Sequence, residues 1–308
     1  MDSANKQTAV VSEVTLGTTP ATPAFLLLRD SRVTGAPQRN DKRSPERRAD
    51  RMAANMTTGL VTYQKTIEMP WVRDAGLDVL WASLFCGTWA TNVLKNASTR
   101  QPFTLEEKYA GSGTTPYRRL PGNLVDSCAI NFSNGNPGTL QFGLRAIGPE
   151  AMQGTAISGA TYAVPAPGND PSTPADILVN SAFGLTTPKV MSLQMTVSNN
   201  MEDRYGWGSA QPYDLGLGAF DVTGQIQFYF SQASDYSTFM TRQSGLTLDL
   251  TIGAVANAKD RLVLPKCDVY NPNVDDPGQS GANTVTLNFL ARYDSTSTAA
   301  VTLTRNVA

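Results

Sequence analysis

The sequence predicts a mainly β protein, with two antiparallel sheets packed face to face, one principal flanking helix and long hairpin loops. Three observations carry that prediction. Only 17% of the 308 residues are charged, and Thr, Ser, Asn, Gly and Pro abound, which is the composition of strands joined by polar turns. Segments of alternating apolar and polar residues recur along the chain, each closed by Gly, Pro, Asn or Asp. One stretch alone carries a firm 3.6-residue apolar period.

Residues 1–24 read as a polar Thr/Ala/Pro-rich N-terminal arm, and 25–308 as one β domain. Phe25 to Leu28 is a short apolar run that packs as a strand. Residues 29–56 form a basic loop; its 29–52 portion holds eight Arg or Lys against four Asp or Glu, with two prolines and a glycine, the mark of a long exposed loop. Residues 57–69 alternate as a strand that stops at Pro70. In RDAGLDVLWASLFCG the apolar face Leu77, Leu80, Trp81, Leu84 and Phe85 falls at i, i+3, i+4, i+7, i+8, with Asp74 to cap the start and Gly87 the end. Residues 102–108 read as another strand. Residues 124–147 read as a hairpin, with Cys128, Ile130 and Phe132 facing Leu140, Phe142 and Leu144 across the turn SNGNPG.

Residues 148–188 contain no Lys or Arg before Lys189 and many Ala, Gly, Pro, Ser and Thr. They read as a surface insertion with little regular structure, one the domain tolerates losing. Strands follow at 189–198 and 219–230, then a short helix DYSTFMTRQ capped by Ser234 or Asp235 and ended by Gly245. Further strands are expected at 246–253, 260–268, 283–294 and 299–305. Strand, short helix, strand thus occurs twice, which points to a structural duplication without a residue-level repeat.

Composition excludes much chemistry. There is no histidine, so Ser-His-Asp and Cys-His pairs and imidazole metal ligation are all absent. Cys86, Cys128 and Cys267 lie far apart in apolar stretches, as buried free thiols of a reducing cytosol do. The segments YGWGS and LGLG match no phosphate-loop pattern and read as flexible loops. The acid pairs Glu106–Glu107, Glu202–Asp203 and Asp275–Asp276 are sequence neighbours, and neighbours on a strand point to opposite faces rather than into one cleft. Asp275 and Asp276 lie in a turn whose spacing differs from a calcium loop. The N-terminus MDSANKQTAV lacks a secretory signal, and no apolar run reaches the ~18 residues a membrane span needs. Synthesis in the cytoplasm, no membrane partner, no cofactor and no catalysis are therefore expected.

The formal net charge is -1, so any polyanion contact must be local. The basic cluster Arg39, Lys42, Arg43, Arg47, Arg48 and Arg51 lacks interleaved aromatics and alternates with acids. It reads as a subunit contact, with Glu106, Glu107, Glu202 and Asp203 of a neighbouring copy as partners. Trp71, Trp81 and Trp89 flank or lie on the helix and read as core, which leaves Trp207 open as a binding platform.

In their order along the chain, several segments resemble the tail tube proteins of long-tailed double-stranded DNA bacteriophages. They include EVTLGTTPATPAFLLLR (13–29), PERRADRMAANMTTGLVTYQKTIE (45–68), LDVLWASLFCGTW (77–89), FTLEEKY (103–109) and NLVDSCAINFSNGNPGTLQFGLRAIG (123–148). SLQMTVSNNMEDRYGWGS, FDVTGQIQFYF, LVLPKCDV and TLNFLARYD continue the pattern through the second half. The resemblance implies a tail-tube β-sandwich whose copies close into hexameric rings by joining sheets edge to edge. It further implies that rings stack around a tape measure protein, between tail terminator and distal tail proteins, into a hollow virion tail that conducts the genome. Edge joining has a physical reason, because it satisfies N–H and C=O groups that long strands otherwise expose. The other readings are a capsid decoration or tail-completion protein, a carbohydrate-binding adhesive module centred on Trp207, and, weakest, a histidine-free carboxylate hydrolase.

Overall fold

The computed structural model describes residues 5–52, 54–110, 116–165, 173–185, 188–279 and 281–307. In the first half the strands are β1 (Lys6–Ser12), β2 (Ala24–Leu27), β3 (Arg32–Thr34), β4 (Gln38–Arg39), β5 (Lys42–Arg43), β6 (Met56–Thr57) and β7 (Val61–Pro70). The helix α1 (Ala75–Phe85) comes next, then β8 (Val93–Lys95), β9 (Phe103–Tyr109), β10 (Tyr117–Ser133) and β11 (Thr139–Ala146). In the second half they are β12 (Ala151–Gln153), β13 (Thr161–Ala163), β14 (Ile177–Ala182), β15 (Val190–Ser198), β16 (Glu202–Tyr205), β17 (Pro212–Gly216) and β18 (Asp221–Tyr229). A short helix α2 (Ser234–Ser237) precedes β19 (Gln243–Ile252), β20 (Lys259–Asp275), β21 (Thr284–Ala291) and β22 (Thr302–Val307).

The protein is mainly β with one substantial helix, as expected, but the packed layers belong to one continuous barrel-like system rather than to separate sheets. Two 17-residue strands make the joins. The C-terminal part of β10 pairs with β11 and β15, giving a layer β3-β7-β11-β10-β15-β18-β21. Its N-terminal part pairs instead with β9 and β12, and β9 carries the ladder on to β1, β2 and β13. In the same way β20 pairs with β21 at its C-terminal end and with β19 and β22 at its start, adding β14 and β8 at the margins.

Three expectations need correction. Within the described residues 5–24 the chain does not run as a separate arm. β1 is hydrogen-bonded to β9 along its whole length and to β2, and Val10 lies fully buried in the main core. The 148–188 segment is not structureless decoration, because β12, β13 and β14 each join the sheet system and Ala182 and Phe183 are buried; residues 166–172 and 186–187 lie outside the described residues. The second-half helix is a single turn followed by a 3-10 turn, Thr238–Met240, with Ala233 rather than Ser234 or Asp235 at its N-cap. Gly245 sits inside β19 at φ +79°, beside a bulge, and does not end a helix.

The principal helix forms as its sequence dictates. Asp74 accepts a hydrogen bond from the Leu77 amide at 2.7 Å, satisfying one of the orphan donors of the first turn. The left-handed residue at the C-terminus is Cys86, at φ 48°, one position before the expected Gly87. Gly87 closes the turn through its amide to the Ala82 carbonyl, and a Cβ there would lie 2.5 Å from the Lys95 carbonyl oxygen. Leu77, Leu80, Trp81, Leu84 and Phe85 are all at most 2% exposed, so each contributes roughly 1.5–3 kcal/mol of burial. Trp81 meets Phe142 edge-on and Trp71 at a tilt, each at 5.3 Å between centroids. Ser83 Oγ, buried on the same helix, accepts from the Val125 amide of β10, which ties helix to sheet.

Candidate assembly surfaces

The basic segment is a β-ribbon rather than a loop. Gln38 and Arg39 pair with Thr62 and Val61, Lys42 and Arg43 pair with Thr57 and Met56, and the Asn40 and Ser44 amides donate across to Leu60 and Asn55. Gly59 is required by this closeness, since a Cβ would sit 1.6 Å from the Asn40 carbonyl oxygen. Arg39, Lys42, Arg43, Arg47, Arg48 and Arg51 are all exposed. Arg39 approaches Asp41 at 3.6 Å and Arg48 forks onto Asp50, 2.7 Å at the shortest. Lys42, Arg43, Arg47 and Arg51 have no ion-pair partner among the described residues. Met52 and Met56 add exposed apolar surface, 69% and 72% accessible. Between residues 38 and 57 six bases face three acids, a local charge of +3 on a nearly neutral chain. A two-stranded ribbon in water is marginal by itself, so a contact along its length would stabilise it.

The acids expected to receive this segment have other uses. Glu106 and Glu107 on β9 are each 1% exposed. Being adjacent, they face opposite sides of the strand. Glu106 takes a hydrogen bond from Arg119 and one from the Tyr162 hydroxyl at 2.6 Å. Glu107 is held by Lys65, by Lys6 and, at 3.6 Å, by Arg118. Burial pushes the Glu107 carboxyl up, but Lys65 and Lys6 outweigh it and the group stays below its ordinary range. Both carboxylates are engaged within the chain. Their sequence signal was the register, since FTLEEKY lies antiparallel to YRR with Glu106 opposite Arg119 and Glu107 opposite Arg118.

Asp203 is also taken, 3.4 Å from Arg145, which in turn holds Asp126 at 2.9 Å. Of the four acids only Glu202, 71% exposed at its side chain and paired loosely with Arg204, is open to a neighbour. It stands on the small hairpin β16-β17, whose turn carries Trp207, wholly exposed, while Tyr213 of β17 is 64% exposed. The other tryptophans behave as expected of packing residues. Trp71 and Trp81 are buried, and Trp89 donates to the Asp78 carbonyl oxygen and lies under the Arg305 guanidinium, 4.4 Å from its ring centre.

Among the described residues no cluster resembles a reaction centre. Burial raises the Cys86 thiol to about 11 and the Cys267 thiol to about 12, and pushes Cys128 up as well, which leaves all three unreactive at neutral pH. Asp275 is the last residue of β20, paired with Thr284, and Asp276 follows it, both exposed and not in the expected turn. Among the described residues no group of acids and cysteines is placed to hold a metal ion, and no helix is long and apolar enough to cross a membrane.

No curated protein matches the chain. A family model described as phage tail tube protein matches residues 3–291, nearly the whole sequence and every layer of the sheet system, and the chain therefore belongs to the phage tail tube protein family, a structural component of the virion tail.

Proposed function

We propose that copies of this chain close head to tail into rings, hexameric in the arrangement its sequence resembles, and that the rings stack into the hollow tube through which the genome leaves the virion. The observation that carries this reading is the basic ribbon. It is paired as strands, carries four cations without an ion-pair partner among the described residues and exposes two methionines, so its natural contact is a neighbouring subunit. Met side chains adapt to irregular surfaces, and Trp207 supplies a second anchor of the kind that dominates protein contacts. In this reading the chain is made in the bacterial cytoplasm and assembles around a tape measure protein, with terminator and distal tail proteins at the two ends.

The experiment is negative-stain microscopy of purified protein at rising concentration, which should show rings or tubes. Arg43→Glu with Arg47→Glu should leave circular dichroism unchanged and abolish the tubes. Tubes of normal number and length from that double variant would refute the ribbon's part. A wild-type chain that stays monomeric at high concentration would refute assembly itself.

A further inference from the structure

The outward face of the four strands β10, β15, β18 and β21 carries three rows of uncharged residues across its middle, with the exposed Asp221 at the start of β18 in the row beyond them, opposite Ser198. Their pairings align Asn131, Gln194, Gln225 and Asn288 in one row across the sheet. Parallel rows run from Ser133 to Thr286 on one side and from Ala129 to Leu290 on the other. None of these twelve positions holds an acid or a base. Exposed protein surface ordinarily carries a charge at roughly a quarter to a third of positions. The alternate residues of the same strands, such as Ile130, Met195 and Phe289, fill the core, so the strands are fixed in register and this face cannot turn inward.

Several polar groups of this face are committed to one another. Gln225 Nε2 donates to Gln194 Oε1 at 2.7 Å, Gln227 Nε2 to Thr284 Oγ1 at 3.0 Å, and Ser192 Oγ to Gln227 Oε1 at 3.4 Å. None of these rows holds a cation; cations stand on the ribbon, in the buried cluster around Glu106 and Glu107, and in pairs such as Arg261 with Asp249 and Arg292 with Asp268. A wall of paired amides and hydroxyls offers duplex DNA neither a cation to bind nor an anion to repel it. Each phosphate neutralised by a protein cation adds salt-dependent affinity, with a slope of about 0.9 per contact against log salt. A face with no cations adds none, and passing DNA is not held.

We infer that this amide and hydroxyl face lines the channel and is the surface along which the duplex DNA passes. The inference rests on the tube reading above and adds to it which side of the sheet looks inward and the neutral character of that side.

Cysteine placement tests it, because the native thiols are buried. Asn288→Cys and Thr196→Cys, assembled into tubes, should react with a small maleimide but be shielded from a maleimide carrying a bulky polymer. Both reagents should label the same variants as free subunits. Labelling of tubes by the bulky reagent at the free-subunit rate would place the face outside, and labelling by neither would place it in a subunit contact; both overturn the inference. As a second measurement, tubes of Gln194→Lys with Gln225→Lys should retain short duplex DNA at low salt, roughly tenfold or more above wild type, and release it as salt rises. Equal retention by wild-type tubes would also overturn it. If wild-type protein forms no tubes, the failure belongs to the proposed function.

Discussion

Asp260 and Glu107 are both buried carboxylates, yet their surroundings give them opposite pH behaviour. Asp260 accepts from Trp71 Nε1 at 3.0 Å and has Arg73 at 3.7 Å, but burial dominates and raises it to about 6. The folded protein therefore holds this proton more tightly than the unfolded chain. Its ionisation costs nothing below about pH 4, and the cost grows as pH rises through about 6. Asp260→Asn should be close to neutral at pH 4 and should stabilise on the order of 1–3 kcal/mol at pH 7, read by denaturant unfolding of a non-assembling variant. An equal effect at both pH values would contradict this account. Glu107 has the reverse sign, since its paired form adds stability above its unfolded value that is lost as pH falls through the depressed folded value. Removing that charge with Glu107→Gln leaves the buried Lys65 with Glu150 alone and takes the carboxylate from Lys6, and should cost up to about 3–5 kcal/mol at neutral pH, with a smaller loss in acid. Neither environment was legible from local sequence. A charged pair in a strand reads as solvent-facing, and its partners Lys65 and Lys6 stand far away along the chain.

At the scale of elements, what was legible depended on whether one face or both faces are covered. The helix and the hairpin of β10 and β11 announced themselves, because each buries a single side and so shows clean periodicity. β1 did not, since Thr8, Ala9, Val10 and Val11 are buried consecutively and leave no alternation to see. β14 was hidden by an Ala/Pro-rich neighbourhood, and the ribbon by strands only two residues long. The ribbon and the 148–188 segment should consequently behave in opposite ways when shortened. Removing the ribbon tip, residues 45–52, should leave the unfolding midpoint of the monomer within error and eliminate tubes. Removing 173–185 strips β14 from β19 and takes away Phe183, which packs against Phe289 at 5.4 Å, and should cost about 3–5 kcal/mol for the aromatic alone. Equal stability of the two deletions would show that β14 is dispensable after all.

For the whole molecule, the joins made by β10 and β20 decide whether the layers unfold together. The main core runs without a break from Ile67 and Phe142 on one layer, through the helix, to Leu250, Leu262 and Leu303 on the other. Trp71 links the layers directly, with its ring 5.5 Å from Phe132 of β10 and its Nε1 bonded to Asp260 of β20. The two layers share this one core, so loss of one should expose the apolar side of the other. An assembly-blocked variant with Trp207 replaced by Phe should therefore lose tryptophan fluorescence and far-ultraviolet circular dichroism in one coincident transition. Trp71 and Trp81 then report core packing while circular dichroism reports the strands. Separate midpoints would mean that the β14-β19-β20-β22 layer peels away as an independent unit, and the continuity of the core would have to be given up as the source of the subunit's rigidity.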